Sequence, residues 1–233
     1  MGSTRRCPNS DEASGSAGIR GRAVMRVECD DDHIYRVDGE IKPGVSEILK
    51  AGGYGDPSLT AGGYVIGEDV IEAAGEKGHL IHEGVSLEVA GTLDWGSIED
   101  EDILEGVKAF AEWMLDSDFQ PLDSEKLFYE PTLGYCGTRD LKGLIDGRLT
   151  IVDVKTGSAG LKPWHRYQLA AYAYPESNCG ENWPDRLIVH LRPDLKRKRY
   201  REHYFSPKSA EWDFEVFTAC KTLLTAKELE KKC

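Results

Sequence analysis

The sequence has no apolar run near the ~18 residues that a membrane-spanning helix needs, and its N-terminus carries no apolar leader core. Its six cysteines, Cys7, Cys29, Cys136, Cys179, Cys220 and Cys233, are scattered, and none forms a Cys-x-x-Cys pair. That pattern points to free thiols in a reducing cytoplasm and offers no clustered-thiol metal site. No Gly-x-x-x-x-Gly-Lys-[Ser/Thr] loop occurs, so an ATPase or helicase would have to be a separate chain. There is no internal repeat. Residues 1–22 have little but Gly, Ser, Ala and scattered charge, and read as a disordered tail. Residues 23–233 suit one medium domain.

Positive charge is also short. The net charge of the 233 residues is −12, which sits badly with a polyanionic partner until its distribution is considered. From Asp94 to Glu130 there are twelve acidic and two basic residues; from Arg186 to Arg201 there are seven basic and one acidic. Local fields govern contact with phosphate more than the total does.

The richest stretch runs from Gly137 to Gly157. Asp146-Gly147 is a strong two-residue hairpin signal, and turns favour Asp for backbone reasons, so Asp146 is structural. Counting outward from the turn pairs Ile145 with Arg148 and Leu144 with Leu149, and brings Asp140 opposite Asp153. Lys155 lies two residues on, on the same face as Asp153. Opposed Cα atoms lie about 4.5–5.5 Å apart, and like charges directly opposite are destabilising. A raised pKa, an organic cation or a metal ion could relieve the repulsion. Two aspartates and a lysine on one face suit metal-assisted attack on a phosphodiester.

Gly137-Thr138-Arg139-Asp140, then Asp153-Val154-Lys155-Thr156-Gly157, then Gln168-Leu169-Ala170-Ala171-Tyr172 resemble the PD-(D/E)XK nuclease superfamily, in its RecB-like and phage exonuclease branch. Lys77-Gly78-His79-Leu80-Ile81-His82 is similar to the branch's Gly-x-x-x-His segment, and residues 33–39 and 45–49 to the opening of phage members. The resemblance implies an α/β fold with a restriction-endonuclease-like core, a mixed central β-sheet flanked by α-helices. It implies a DNA nuclease needing Mg2+ or Mn2+, with no iron–sulfur cluster expected because the clustered cysteines are missing. Asp140, Asp153, the Val154 carbonyl and His82 would be metal ligands. Lys155 would activate water and stabilise phosphate charge. Gln168 and Tyr172 would stand behind the site. DNA would be the partner, with a single-strand annealing, recombinase or helicase protein as companion in phage recombination, repair or degradation, inside a bacterial host cell. The alternative is a non-catalytic DNA- or protein-binding accessory protein of the same fold.

Further residues follow from local pattern. His79, three residues before His82, shares its helix face and is the reserve ligand. Gly75 and Gly78 weaken that helix, which fits close approach to the sheet or to DNA. Glu125 stands at a spacing where the family often has Glu; it is an auxiliary site residue or a structural partner of Lys126, with Glu130 beside it on the same strand. Trp164, His165 and Arg166 sit at a helix start, where backbone N–H groups favour anions, and are candidate DNA contacts. Arg192, Lys196, Arg197, Lys198 and Arg199 cluster at a hairpin tip and are candidate contacts to the DNA backbone. Asp153→Ala or Lys155→Ala is expected to abolish cleavage with folding intact.

Coarse structure completes the reading. A short hairpin spans 26–45 around Asp38-Gly39. Ser46 caps a brief helix to Lys50, and 51–63 is Gly-rich loop. Helices are expected over 67–89 and 102–117, strands over 126–155, a helix from near Pro163, a hairpin from Leu187 to Phe205, and a last helix over 207–231 with Trp212, Val216, Phe217, Cys220 and Leu224 inward.

Overall fold

The computed structural model describes residues 25–30, 32–55, 68–157 and 160–231. In chain order the elements are β1 (Val27–Cys29), β2 (Tyr35–Val37), β3 (Glu40–Lys42), α1 (Val45–Ala51), α2 (Glu68–Val89), α3 (Glu101–Asp116), β4 (Gln120–Glu130), β5 (Tyr135–Ile145), β6 (Arg148–Lys155), α4 (His165–Ala173), β7 (Asp185–Leu191), β8 (Tyr200–Phe205) and α5 (Ala210–Glu230). The expected tail, Cys7, Cys233 and the 56–63 part of the Gly-rich loop lie outside the described residues.

The expected α/β class forms. Five strands make one mixed sheet in the order β4-β5-β6-β7-β8. Only β6 and β7 are parallel, because only they are joined by a helical crossover, α4, rather than a turn. The β5–β6 turn takes φ of 51° at Asp146 and 73° at Gly147, the double positive φ of a primed hairpin turn. The register counted from sequence holds from Ile145↔Arg148 through Leu141↔Val152.

Strand alternation divides the core. Ile151 of β6 packs with Leu169, Phe214 and Phe217 beneath α1, α4 and α5. Its neighbours Val152 and Val154 point the other way, toward Phe110 and Trp113 of α3 and Ile81 and Val85 of α2. The α2–α3 contact depends on two glycines. A Cβ on Gly84 would meet Val107 at 2.6 Å, and one on Gly106 would meet Ile81 at 2.8 Å. Gly75, expected at a close approach, has open space around it, whereas Gly78 lies against the Thr156 hydroxyl.

A second small sheet, β1-β2-β3, is fastened to the first. The Cys136 N–H donates to the Pro43 carbonyl at 2.9 Å, and the Tyr35 and Thr138 hydroxyls stand 3.2 Å apart. This sets the small hairpin beside the end of β5.

Several local expectations change. The cap of α1 is Gly44, with no side-chain cap bond, because Ser46 already lies within the helix. Along α5, Trp212 is exposed, and Asp213 and Phe214 turn inward instead. Cys136 and Cys220 are buried free thiols, but Cys179, expected to be one, is disulfide-bonded. Among the described residues no helix is long and apolar enough to cross a membrane.

Candidate active site

The β5–β6 ladder stops one pair short of the two aspartates. Beyond Leu141↔Val152 no further pair forms. Instead the Asp140 carboxylate accepts a hydrogen bond from the Val154 N–H at 2.8 Å. On the other side of β5, β4 pairs Ser124 with Leu141 and Lys126 with Arg139, which leaves Glu125 opposite Asp140. Arg139 and Lys142 both reach Glu176 and Asp123. Glu125 takes φ of 46° within β4, a conformation that costs a non-glycine residue free energy.

That distortion gathers ligand atoms. His82 Nδ1 of α2 lies 3.6 Å from a carboxylate oxygen of Glu125 and 3.6 Å from one of Asp140. The three ligand atoms all lie within 4.8 Å of one another. Burial pushes the His82 imidazole down, but Asp140 and Glu125 outweigh it and hold the pKa up at about 8. A proton on His82 thus offsets two acids that would otherwise repel.

Asp153 faces a different partner. Its carboxylate is almost fully buried and lies 2.7 Å from the Lys155 ammonium. Burial presses Lys155 toward losing its proton, but Asp153 and Asp140 overcome this and keep it charged. Lys155 also donates to Gln168 Oε1 at 3.2 Å, and Gln168 Nε2 donates to the Tyr172 hydroxyl at 2.9 Å. The i, i+4 spacing on α4 makes this relay possible. Burial and the two aspartates raise the Tyr172 phenol well above its ordinary value, so it stays protonated.

These groups open into one cleft of about 1080 Å³. His79, His82, Glu125, Asp140, Lys155, Gln168 and Tyr172 line it, with Trp164 and His165 from the start of α4. His165 is kept neutral, since burial and then Lys155 lower its pKa to about 4. Val154 lies in the buried core, and its contact with the site is the N–H held by Asp140. Glu130 accepts from the N–H groups of Thr132 and Leu133 in the β4–β5 turn, a structural task.

The expected basic contacts are not brought to the cleft. The Arg166 guanidinium pairs with Asp213 at 2.6 Å. Arg192 pairs with Asp194, Lys198 with Glu202, and Arg199 with Glu105 and Glu112 of α3. Lys196 and Arg197 stay exposed, and none of these residues lines the cleft. Arg199 thus ties the basic hairpin to the acidic helix α3, far away in sequence, while Arg192 and Lys198 find their partners within the hairpin.

No family model and no curated protein matches the chain. Among solved structures, one similar chain is an alkaline exonuclease (LHK-Exo) from Laribacter hongkongensis, at 14% identity and a TM-score of 0.41, covering 82% of this chain and 92% of that one. Another is LHK-Exo in complex with dAMP, at 14% identity and a TM-score of 0.37, covering 81% and 89%.

Proposed function

We propose that the protein is a metal-dependent deoxyribonuclease that hydrolyses phosphodiester bonds, working as an exonuclease in DNA recombination, repair or degradation of the phage type. The observation that carries this reading is the convergence, in one cleft, of three ligand side chains from three elements with a half-buried, charged lysine. The residues fit Mg2+ or Mn2+: two carboxylates and an imidazole, close enough to share one ion, in a place where a proton is otherwise drawn in to balance charge. His82, Glu125 and Asp140 would hold it. A divalent ion, when bound there, lowers the pKa of a coordinated water and offsets phosphate charge.

The chain's own groups do the rest. Lys155 presents a fixed positive charge to the phosphate, and Gln168 and Asp153 aim it. Tyr172 fixes Gln168. His165, neutral at physiological pH, is free to donate a hydrogen bond without adding charge. The reading is tested with linear and closed-circular DNA in magnesium or manganese. Cutting of linear DNA alone, stopped by EDTA, is expected. Cutting of closed circles would replace the exonuclease with an endonuclease, and cutting that survives EDTA would remove the metal.

The imidazole gives a second check. His82 must lose its proton to donate a lone pair, so metal binding competes with protonation. Below about 8, the value at which His82 is held, Mn2+ affinity measured by calorimetry should rise roughly tenfold per pH unit and then level off. His82→Ala should flatten the profile. A profile already flat in the unaltered protein would remove His82 from the ligand set.

A further inference from the structure

We infer that the cleft takes a single strand of DNA, with its bases unpaired, in preference to intact duplex. The inference rests on the nuclease reading above and adds the substrate class. Duplex binding draws mainly on phosphate contacts, and six to ten of them are common. Among the described residues no such track lines the cleft. In the basic hairpin Arg192, Lys198 and Arg199 are held by Asp194, Glu202, Glu105 and Glu112, and the whole stretch, with the exposed Lys196 and Arg197, lies outside the cleft. Three lysines line the cleft, Lys42, Lys50 and Lys155, and two of these are paired with Glu40 and Asp153.

What the cleft offers instead is apolar surface. Trp164 lines it at the start of α4, and its ring meets His165 edge to face at 5.7 Å. The small hairpin contributes Ile34 and Ile41, which are 37% and 67% exposed. Solvent-facing apolar side chains inside a cleft mark a binding surface. Bases in a duplex are stacked on each other and cannot use such a surface, whereas those of a single strand can, and each base stacked on an aromatic ring strengthens binding by about tenfold or more.

The test is equilibrium binding of a labelled oligonucleotide, alone or annealed to its complement, to the wild-type protein in calcium, with the strand checked for intactness on a gel. Single-strand binding should be tighter by about tenfold or more, with a shallow dependence of log affinity on log salt, near −2 for three lysines at about −0.7 each. Trp164→Ala should weaken it by about tenfold and Trp164→Phe restore most of it. Ile41→Asp, at an exposed position that folding does not need, should weaken it as well. Equal or tighter binding of duplex, or a Trp164→Ala variant that folds and binds unchanged, overturns the inference. Selective single-strand binding with no cleavage in magnesium or manganese would overturn the nuclease reading and leave this one standing.

Discussion

Asp140→Asn should lower DNA cleavage by about 10³-fold while leaving the protein as stable as before or more so. The two halves of this expectation have one cause. Asp140 faces Glu125 across the broken β4–β5 row, and both face His82. Like charges at such a position cost stability, and φ of 46° at Glu125 adds backbone strain. Asparagine keeps an oxygen that can still accept from the Val154 N–H, the bond that replaces the missing ladder pair. It removes the charge that balances His82 and that would hold the ion. Cleavage assays and thermal melts on the same preparation check both halves, and the His82 imidazole should fall from about 8 toward its ordinary value, which an NMR titration reads. Retained cleavage would take Asp140 out of the chemistry. A large loss of stability would make its role structural.

Asp140→Asn is a sharper test than removing Asp153 or Lys155. Sequence reasoning treats those two as site residues that can be cut away with the fold intact. In the structure they form an ion pair whose carboxylate is buried and whose ammonium is half-buried, and deleting the lysine leaves Asp153 uncompensated in a poorly solvated place, a cost of up to about 3–5 kcal/mol. Lost activity in Asp153→Ala or Lys155→Ala would therefore mix chemistry with unfolding.

The difference shows where sequence reading stops. The hairpin turn was legible because Asp-Gly at a two-residue turn has few alternatives, and the register followed by counting. The Gln168–Tyr172 relay was legible because helical spacing fixes which side chains share a face. Glu125 reads only as an auxiliary or a partner of Lys126, because nothing in a glutamate's chemistry announces a positive φ, and the early end of the β5–β6 ladder that lets Asp140 accept from the Val154 N–H has no local signature. The basic hairpin misled for a related reason. A run of lysines and arginines reads as free charge in one dimension, yet Arg199 meets Glu112, 87 positions away in the chain. Such cancellation depends on how helices pack across the sheet, which local pattern does not carry.

Asp213→Ala should cost about 3–5 kcal/mol and lower the melting temperature by about 10 °C. Asp213 and Arg186 are both completely buried and paired at 2.9 Å. Arg186 also donates to the Arg166 and Ser206 carbonyls and to the Ser209 hydroxyl, and Asp213 takes the Arg166 guanidinium on its other oxygen. Removing the carboxylate strands one arginine in the core and frees another, so the penalty is that of an unpaired buried charge rather than of one lost contact. The pair can be removed more cheaply than halved: Arg186→Met with Asp213→Leu should recover most of the lost stability, and a double variant as unstable as the single one would refute this account. The position matters for the cleft, since Arg166 lies between His165 and Gln168 at the start of α4. Below its melting temperature, Asp213→Ala should therefore cleave more slowly per folded molecule if this anchor aims the Gln168–Lys155 relay. Unchanged cleavage by the folded fraction would confine Asp213 to stability alone.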